Sequence, residues 1–281
     1  MTKQVAGLKQ KLEVSLGLSQ LAIQKMESKW NEIVENDPYA FIPHELKGKM
    51  STSDAFLENM RFGSFSSSAF AKVLRTSNTL DRRRRYLEGK KLVAVGGGRA
   101  YDANWIEEAV LYGGLGVTWV DVSEKACEFL RRSVEEQFVR LERNKHIHFI
   151  DRLRPKVVKA EIRTALLNPS LIDLPDLTSV EVWYLARTLG CLSTRSAKIV
   201  LRLMGQSLSS ESDPFKENCI FIVSALRDDN PSRVAKSSKL YTLNTIKSNL
   251  RLGSKRQVKA EIIERHSYFG QEYSAVLFRA K

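Results

Sequence analysis

The sequence predicts an α/β protein: a doubly wound, mostly parallel seven-stranded sheet with a C-terminal antiparallel hairpin, preceded by an all-helical N-terminal extension. Three observations predict it. From Lys91 onward, short apolar runs bounded by turn residues alternate with helical stretches, the pattern of a parallel sheet covered on both faces. The last two runs are too close together for a parallel crossover and read as a hairpin. Before Lys91 the apolar residues recur at helical spacing and no strand-like run occurs.

In chain order, Leu8, Leu12, Leu16, Leu18, Leu21, Ile23, Met26, Trp30 and Ile33 mark one amphipathic helix or a pair of them. Asn36-Asp37-Pro38 ends that pattern. A second helix is expected near Ser53-Asp54, whose short side-chain oxygens suit an N-cap, and a third over 66–87. The organisation expected is therefore a helical extension over 1–90 and a sheet domain over 91–281. Strands are expected at 92–95, 116–120, 156–160, 180–185, 219–225, 259–264 and 273–278. Helices are expected at 104–112, 123–141, 194–209 and 240–250. The segment 146–151 reads equally as a short strand or an irregular approach to the third strand.

The chain has 281 residues, 43% of them hydrophobic, enough to bury a substantial core. Forty-five lysines and arginines against 32 acids leave a net charge of +13, which suits an anionic partner or serves solubility alone. The excess is +5 over residues 1–90 and +8 over 91–281, close to proportional to length, so it marks no basic tail. Arg82-Arg83-Arg84-Arg85 fans around a helix rather than forming a stripe, and reads as a solvated helix end ahead of a phosphate patch.

Cys127, Cys191 and Cys219 are far apart and form no CxxC. They fit reduced thiols in a cytoplasmic protein better than a disulfide framework or zinc site. Cys191, near the ligand edge of the expected sheet, reads as a buried bystander before a nucleophile. His146 and His148 lack the further ligands a metal needs, so no metal is expected. Residues 1–5 start no signal sequence, and no window approaches about 18 uninterrupted apolar residues. The expectation is a cytoplasmic chain without a membrane segment.

The most informative stretch runs from Leu92 to Asp102: a buried strand enters Gly96-Gly97-Gly98, then Arg99-Ala100-Tyr101-Asp102 opens a helix. An α/β sheet accepts a nucleotide-like ligand at such a place. A dinucleotide fingerprint needs glycine at the position held by Tyr101, and a phenol fits NAD or FAD poorly there. Counted as Gly-x-Gly-x-small with Ala100 third, the loop resembles motif I of the class I S-adenosylmethionine-dependent methyltransferases. The resemblance extends in order over about 91–281, through three motifs. Thr118-Trp119-Val120-Asp121-Val122-Ser123 is similar to that family's second strand, Val157 to Ile162 to its third, and Val182 to Gly190 to its fourth with the loop behind it.

The resemblance implies S-adenosyl-L-methionine as cofactor. It places Gly96, Gly97, Gly98, Ala100 and Tyr101 around the amino-acid end and ribose, Asp121 and Val122 at the ribose hydroxyls, Glu161 and Ile162 at the adenine, and Ala186 beside the transferred methyl. Dinucleotide folds also carry an acid at the Asp121 spacing, and an ordinary helix N-terminal acid is an alternative; Glu161 reads equally as a solvated carboxylate. One departure stands out: the family commonly has an acid two residues before the first glycine, where this chain has Ala94. Asp102 or a residue from the helical front is the substitute expected.

Substrate-contacting candidates are Arg187 behind the fourth strand, Asp228 after the fifth, and His266 and Tyr268 at the terminal hairpin. Turn chemistry explains Asp228-Asp229-Asn230-Pro231 as well, and core packing competes for His266 and Tyr268. No catalytic residue stands out, because methyl transfer depends largely on alignment and needs a base only for a protonated acceptor. The chain lacks the Asn/Asp-Pro-Pro-aromatic motif that base-amine methyltransferases often carry after strand four. A small-molecule acceptor, amino-acid-derived or anionic, therefore leads, with nucleic acid second and no membrane. The oligomeric state is not readable. Two alternatives stay open: aminoalkyl transfer from the same cofactor, as in nicotianamine-synthase-like enzymes, and a non-catalytic basic RNA-binding protein on a degenerate methyltransferase fold.

Overall fold

A computed structural model describes residues 62, 63, 65–73, 91–96, 116–124, 156–174, 176–186, 188–209, 218–227, 241–268 and 271–281, with positions 126–128, 130–132, 135 and 139 of one further helix. The expected helices at 5–34, near 53 and at 104–112, the segment 146–151, and Arg82–Arg85 lie outside the described residues. The chain divides into two compact units, one comprising Met1–Phe65 with Tyr268–Gly270, the other Ser66–Ser267 with Gln271–Lys281. In the first, the rings of Phe62 and Phe65 meet edge to face at 6.3 Å.

The second unit carries the sheet. Its strands are β1 (Lys91–Val95), β2 (Gly116–Asp121), β3 (Lys156–Lys159), β4 (Val182–Ala186), β5 (Cys219–Arg227), β6 (Tyr241–Thr242), β7 (Val258–Tyr268) and β8 (Gln271–Ala280). They run in the order β3-β2-β1-β4-β5-β8-β7, with β6 paired to β5 off that path. The pairs β1–β2, β2–β3, β1–β4 and β4–β5 are parallel, whereas β5–β8 is antiparallel. The doubly wound sheet and closing hairpin expected from the sequence are thus present.

Four helices follow in chain order: α1 (Ile162–Leu167), α2 (Thr188–Cys191), α3 (Thr194–Gly205) and α4 (Leu243–Ser254). The stretch expected as one helix over 194–209 tightens after Gly205 into a 3-10 turn, Gln206–Ser209. The helix expected from 240 starts at Leu243, because Tyr241–Thr242 first pairs with Leu226 and Arg227 of β5. Thr242 then caps it, its hydroxyl accepting the Thr245 N–H at 3.0 Å. Ser193 caps α3 in the same way through the Ser196 N–H. The fourth strand begins at Val182, two residues later than expected.

Side chains alternate across a strand, so residues in register share a face. On one face Val93, Trp183, Leu185, Ile220, Ile222, Val276 and Phe278 pack against α1, α3 and α4 in one buried cluster. On the other, one continuous row runs Trp119, Ala94, Tyr184, Phe221, Leu277 across five strands. Phe70, from helical residues 65–73, lies on this row with its ring 5.0 Å from those of Tyr184 and Phe221. All five residues of β4 are buried, which explains why central strands read as unbroken apolar runs rather than alternating ones.

Candidate functional site

The parallel strands β1, β2, β4 and β5 end along one edge. There the order reverses: β2 lies on one side of β1 and β4 on the other. The crevice at such a switch point is where open α/β sheets take their ligands. Gly96 is the first residue past β1, Asp121 the last of β2, and Thr188, two residues past β4, opens α2.

Gly96 is held from three sides. Its N–H donates to the Val120 carbonyl at 2.9 Å, and its own carbonyl accepts from the Trp119 indole Nε1 at 2.8 Å. The third side is Thr188, whose hydroxyl donates to the Val95 carbonyl at 2.6 Å. Gly96 has φ +64°, and a Cβ there would fall 2.4 Å from Thr188 Oγ1. Glycine is thus demanded twice, by left-handed backbone and by lack of space. Thr188 has one hydroxyl proton, and Ala186 O lies farther off at 3.3 Å, so Val95 O is the principal acceptor.

The same geometry accounts for Ala94. It is fully buried, in register with Trp119 on one side and Tyr184 on the other, and those two rings approach to 6.4 Å. A carboxylate at 94 would be desolvated between two aromatic rings, at a cost of several kcal/mol. The small alanine lets the rings meet over it, and Trp119 in turn supplies a fixed donor to the loop.

Asp121 is 9% exposed at the end of β2. Its Oδ1 accepts the Ser123 N–H at 2.8 Å, which fixes the carboxylate in a local turn, and its main-chain carbonyl accepts the Ala160 N–H at 2.9 Å. Beneath it the Cys127 Sγ lies 3.7 Å from the Asp121 carbonyl oxygen. Burial first, then the Asp121 charge, push that thiol above its ordinary range. Cys127 is thus a neutral packing residue and not a nucleophile. Beside the edge, Glu124 pairs with Lys159 at 3.0 Å and Arg131 at 3.3 Å, and hydrogen bonds from Lys159 and then Arg131 hold its carboxyl below the usual range.

Glu161 and Ile162 are engaged locally. Glu161 caps α1: Oε1 accepts the Arg163 N–H at 3.0 Å, while Oε2 accepts the Thr164 N–H at 2.7 Å and its hydroxyl at 2.8 Å. Burial raises its carboxyl, but these hydrogen bonds, aided by Arg163, outweigh that and leave it lowered. Ile162 is 7% exposed and belongs to the core cluster. Of the remaining candidates, Val122 is exposed directly after Asp121, and Ala186 is buried at the end of β4. His266 is exposed on β7, three strands from β4 across the sheet, roughly 14 Å at ordinary strand spacing. Gly97, Gly98, Ala100, Tyr101, Arg187 and Asp228 lie outside the described residues, as do the side chains of Tyr268 and Cys191. Among the described residues, no group of three His, Cys, Asp or Glu side chains could hold a metal ion, and no helix is long and apolar enough to cross a membrane.

The roles of Trp119 and Thr188 were not readable from motif spacing. One signal existed: a tryptophan on a buried strand must find an acceptor for its N–H, and the nearest unpaired carbonyls are those where the neighbouring strand ends.

No family model matches the chain, and no curated protein matches it in sequence. Solved structures do resemble it. An O-methyltransferase family protein from Burkholderia thailandensis is 14% identical, with 93% of this chain and 70% of that chain covered and a TM-score of 0.49. A SAM-dependent methyltransferase from Aquifex aeolicus is also 14% identical, covering 74% of this chain and 97% of that one, TM-score 0.39. A protein from Rhodobacter sphaeroides described as a zinc-dependent alcohol dehydrogenase is 12% identical, covering 77% and 98%, TM-score 0.42. The likeness is one of fold, across chains described with different chemistries.

Proposed function

We propose that this chain is an S-adenosylmethionine-dependent methyltransferase whose acceptor is a small molecule, amino-acid-derived or anionic. The observation that carries the reading is the carboxyl edge of the sheet at the β1/β4 switch. There Gly96, pinned in a left-handed conformation, opens backbone to a ligand, and Asp121 closes the adjoining strand.

The residues present fit the cofactor on two counts. Gly96 carries no side chain and has a left-handed φ fixed beside Thr188, so its bare backbone is what the edge presents to a ligand. Asp121 is a fixed acceptor at the end of β2, suited to ribose hydroxyls. Gly96, with Gly97 and Gly98 after it, would hold the amino-acid end and Asp121 the ribose; Val122 offers an exposed apolar side chain beside it. The bound cofactor supplies an electrophilic methyl group on a sulfonium.

The chain's contribution is positional. Fixing Val95 and Gly96 by three hydrogen bonds before the ligand arrives removes motion that would otherwise be lost on binding, and alignment of reactants is worth up to about 7 to 11 kcal/mol. The buried floor of Trp119, Tyr184 and Phe221 keeps water from beneath the edge. Arg187 and Asp228 are the proposed acceptor contacts, His266 and Tyr268 standing on β7 three strands from β4, and residues 1–90 are the proposed acceptor-selecting lid.

The test is titration calorimetry of the purified chain with S-adenosylmethionine and S-adenosylhomocysteine. Both should bind at sub-millimolar concentration, and Asp121→Ala should weaken both at least about tenfold, the equivalent of losing charge-assisted hydrogen bonds. No binding by the wild type, or unchanged binding by Asp121→Ala, overturns the reading. Where both ligands bind, the by-product decides the transfer: S-adenosylhomocysteine for methyl, methylthioadenosine for aminoalkyl.

A further inference from the structure

Helices α3 and α4 lie side by side on one face of the sheet and carry a charge pattern the proposed reaction does not use. Residues 194–209 contain Arg195, Lys198 and Arg202; residues 241–258 contain Lys247, Arg251, Lys255 and Arg256. Neither stretch has an aspartate or glutamate. At the chain's overall share of 32 acids in 281 residues, about four would be expected over that length.

The cations are also arranged. Arg195, Lys198 and Arg202 stand at i, i+3 and i+7, and Lys247 and Arg251 at i, i+4, so each helix presents one basic stripe. The opposite sides, with Ala197, Val200, Leu201 and Met204 on α3 and Ile246, Asn249 and Leu250 on α4, are buried. Six of these seven cations are exposed and Lys247 is half-buried. Among the described residues none of the seven forms an ion pair, whereas Lys72, Arg131, Lys156, Lys159 and Arg265 do.

The two stripes form one surface because the helices touch. A Cβ on Gly205 would meet the Leu250 carbonyl oxygen at 2.4 Å, and one on Gly253 the Arg202 carbonyl oxygen at 1.9 Å. Arg202 Nε donates across the contact to Asn249 Oδ1 at 3.1 Å. Holding this many like charges together costs self-repulsion that no ion pair among the described residues offsets, and a polyanion would relieve it.

We propose that the α3–α4 face is an RNA-docking surface that contacts backbone phosphates. Four of the seven cations are arginines, whose planar fork matches phosphate oxygens. Two helices packed together are about 20 Å wide, too broad to enter the roughly 12 Å major groove of DNA; the wide, shallow face of an RNA helix accepts such a surface. Binding at an anionic membrane needs apolar side chains to insert beside the charges, and Leu252 is the one exposed large apolar side chain described on these helices. The surface is independent of the cofactor site: loss of cofactor binding would leave it standing.

The experiment uses the full chain, a fluorescein-labelled RNA hairpin of about 20 base pairs, and anisotropy over about 50 to 200 mM salt. The wild type should bind with log Kd rising against log salt at a slope of about 3 to 6. Lys198→Gln/Arg251→Gln/Lys255→Gln/Arg256→Gln should lower that slope by about 3 and weaken binding at least about tenfold at about 150 mM salt. Arg163→Gln/Arg265→Gln, elsewhere on the surface, should change affinity less than about threefold. The doubles Lys198→Gln/Arg251→Gln and Lys255→Gln/Arg256→Gln serve if the quadruple variant does not fold, each removing about half the slope change. Absence of salt-dependent RNA binding, equal binding by the patch variants, or binding to phosphatidylserine vesicles but not RNA overturns the proposal.

Discussion

Replacing Gly96 with alanine should expose how the loop is clamped. The new Cβ would sit 2.4 Å from Thr188 Oγ1 and 3.2 Å from its Cγ2, in a residue at φ +64°. Left-handed backbone costs an alanine roughly 1 to 2 kcal/mol. The overlap adds a second cost: Thr188 must turn away, breaking its 2.6 Å bond to Val95 O and leaving that carbonyl unsatisfied, about 1 to 2 kcal/mol. Gly96→Ala should therefore lose about 2 to 4 kcal/mol. Thr188→Ala, which loses the same hydrogen bond without any overlap, should cost about 1 to 2 kcal/mol. Because that bond can be lost only once, the double variant should be no less stable than Gly96→Ala by more than about 0.5 kcal/mol, an interaction term of about −1 to −2 kcal/mol. Urea unfolding of the four proteins measures it, with hydrogen exchange of the peptide spanning β1 and Gly96 as a local reading. Additive costs would refute Thr188 as the wall against Gly96.

Two further outcomes follow from the geometry. Gly253→Ala drives a methyl into the Arg202 main-chain carbonyl at 1.9 Å, and a backbone atom cannot step aside, so stability should fall by about 3 kcal/mol or more; a loss under about 1 kcal/mol in urea unfolding would show that the helices slide apart. Glu161 has a lowered carboxyl relative to its ordinary 4.5, so its contribution is present above pH 4.5 and fades as the pH falls through the lowered value. Glu161→Gln should lower stability near neutral pH by about 1 kcal/mol as a weakened cap, and the gap from wild type should narrow below pH 4.5; a pH-independent gap would assign the effect to packing.

The strands were legible because each central run is buried on both faces, so apolar residues alone mark it, as in Val182–Ala186. The limits of that signal show at β7, which extends to Tyr268 although Arg265, His266 and Ser267 are polar, because a strand at the sheet's edge pairs through its backbone without a buried side-chain pattern. Two-residue β6 is too short for any period. Gly96 and Asp121 were legible as a strand ending in a glycine turn and a strand ending in an acid. Thr188 and Trp119 were not: their partners lie 93 and 23 residues away, a distance no local pattern reports. Glu161 shows the opposite case, since its carboxylate reaches N–H groups only two and three residues on, a contact of the short range that local sequence does report.

The row that runs Trp119, Ala94, Tyr184 couples positions that are distant in sequence. An acid at 94 would be buried beneath both rings, and loss of the Trp119 indole would leave the Gly96 carbonyl without the N–H it accepts. Thr188 adds a further constraint, filling the space a side chain at 96 would need. Substitutions at Ala94, Gly96, Trp119 and Thr188 are therefore interdependent, so a library varied at all four together should yield folded variants that no single-position scan of these residues finds.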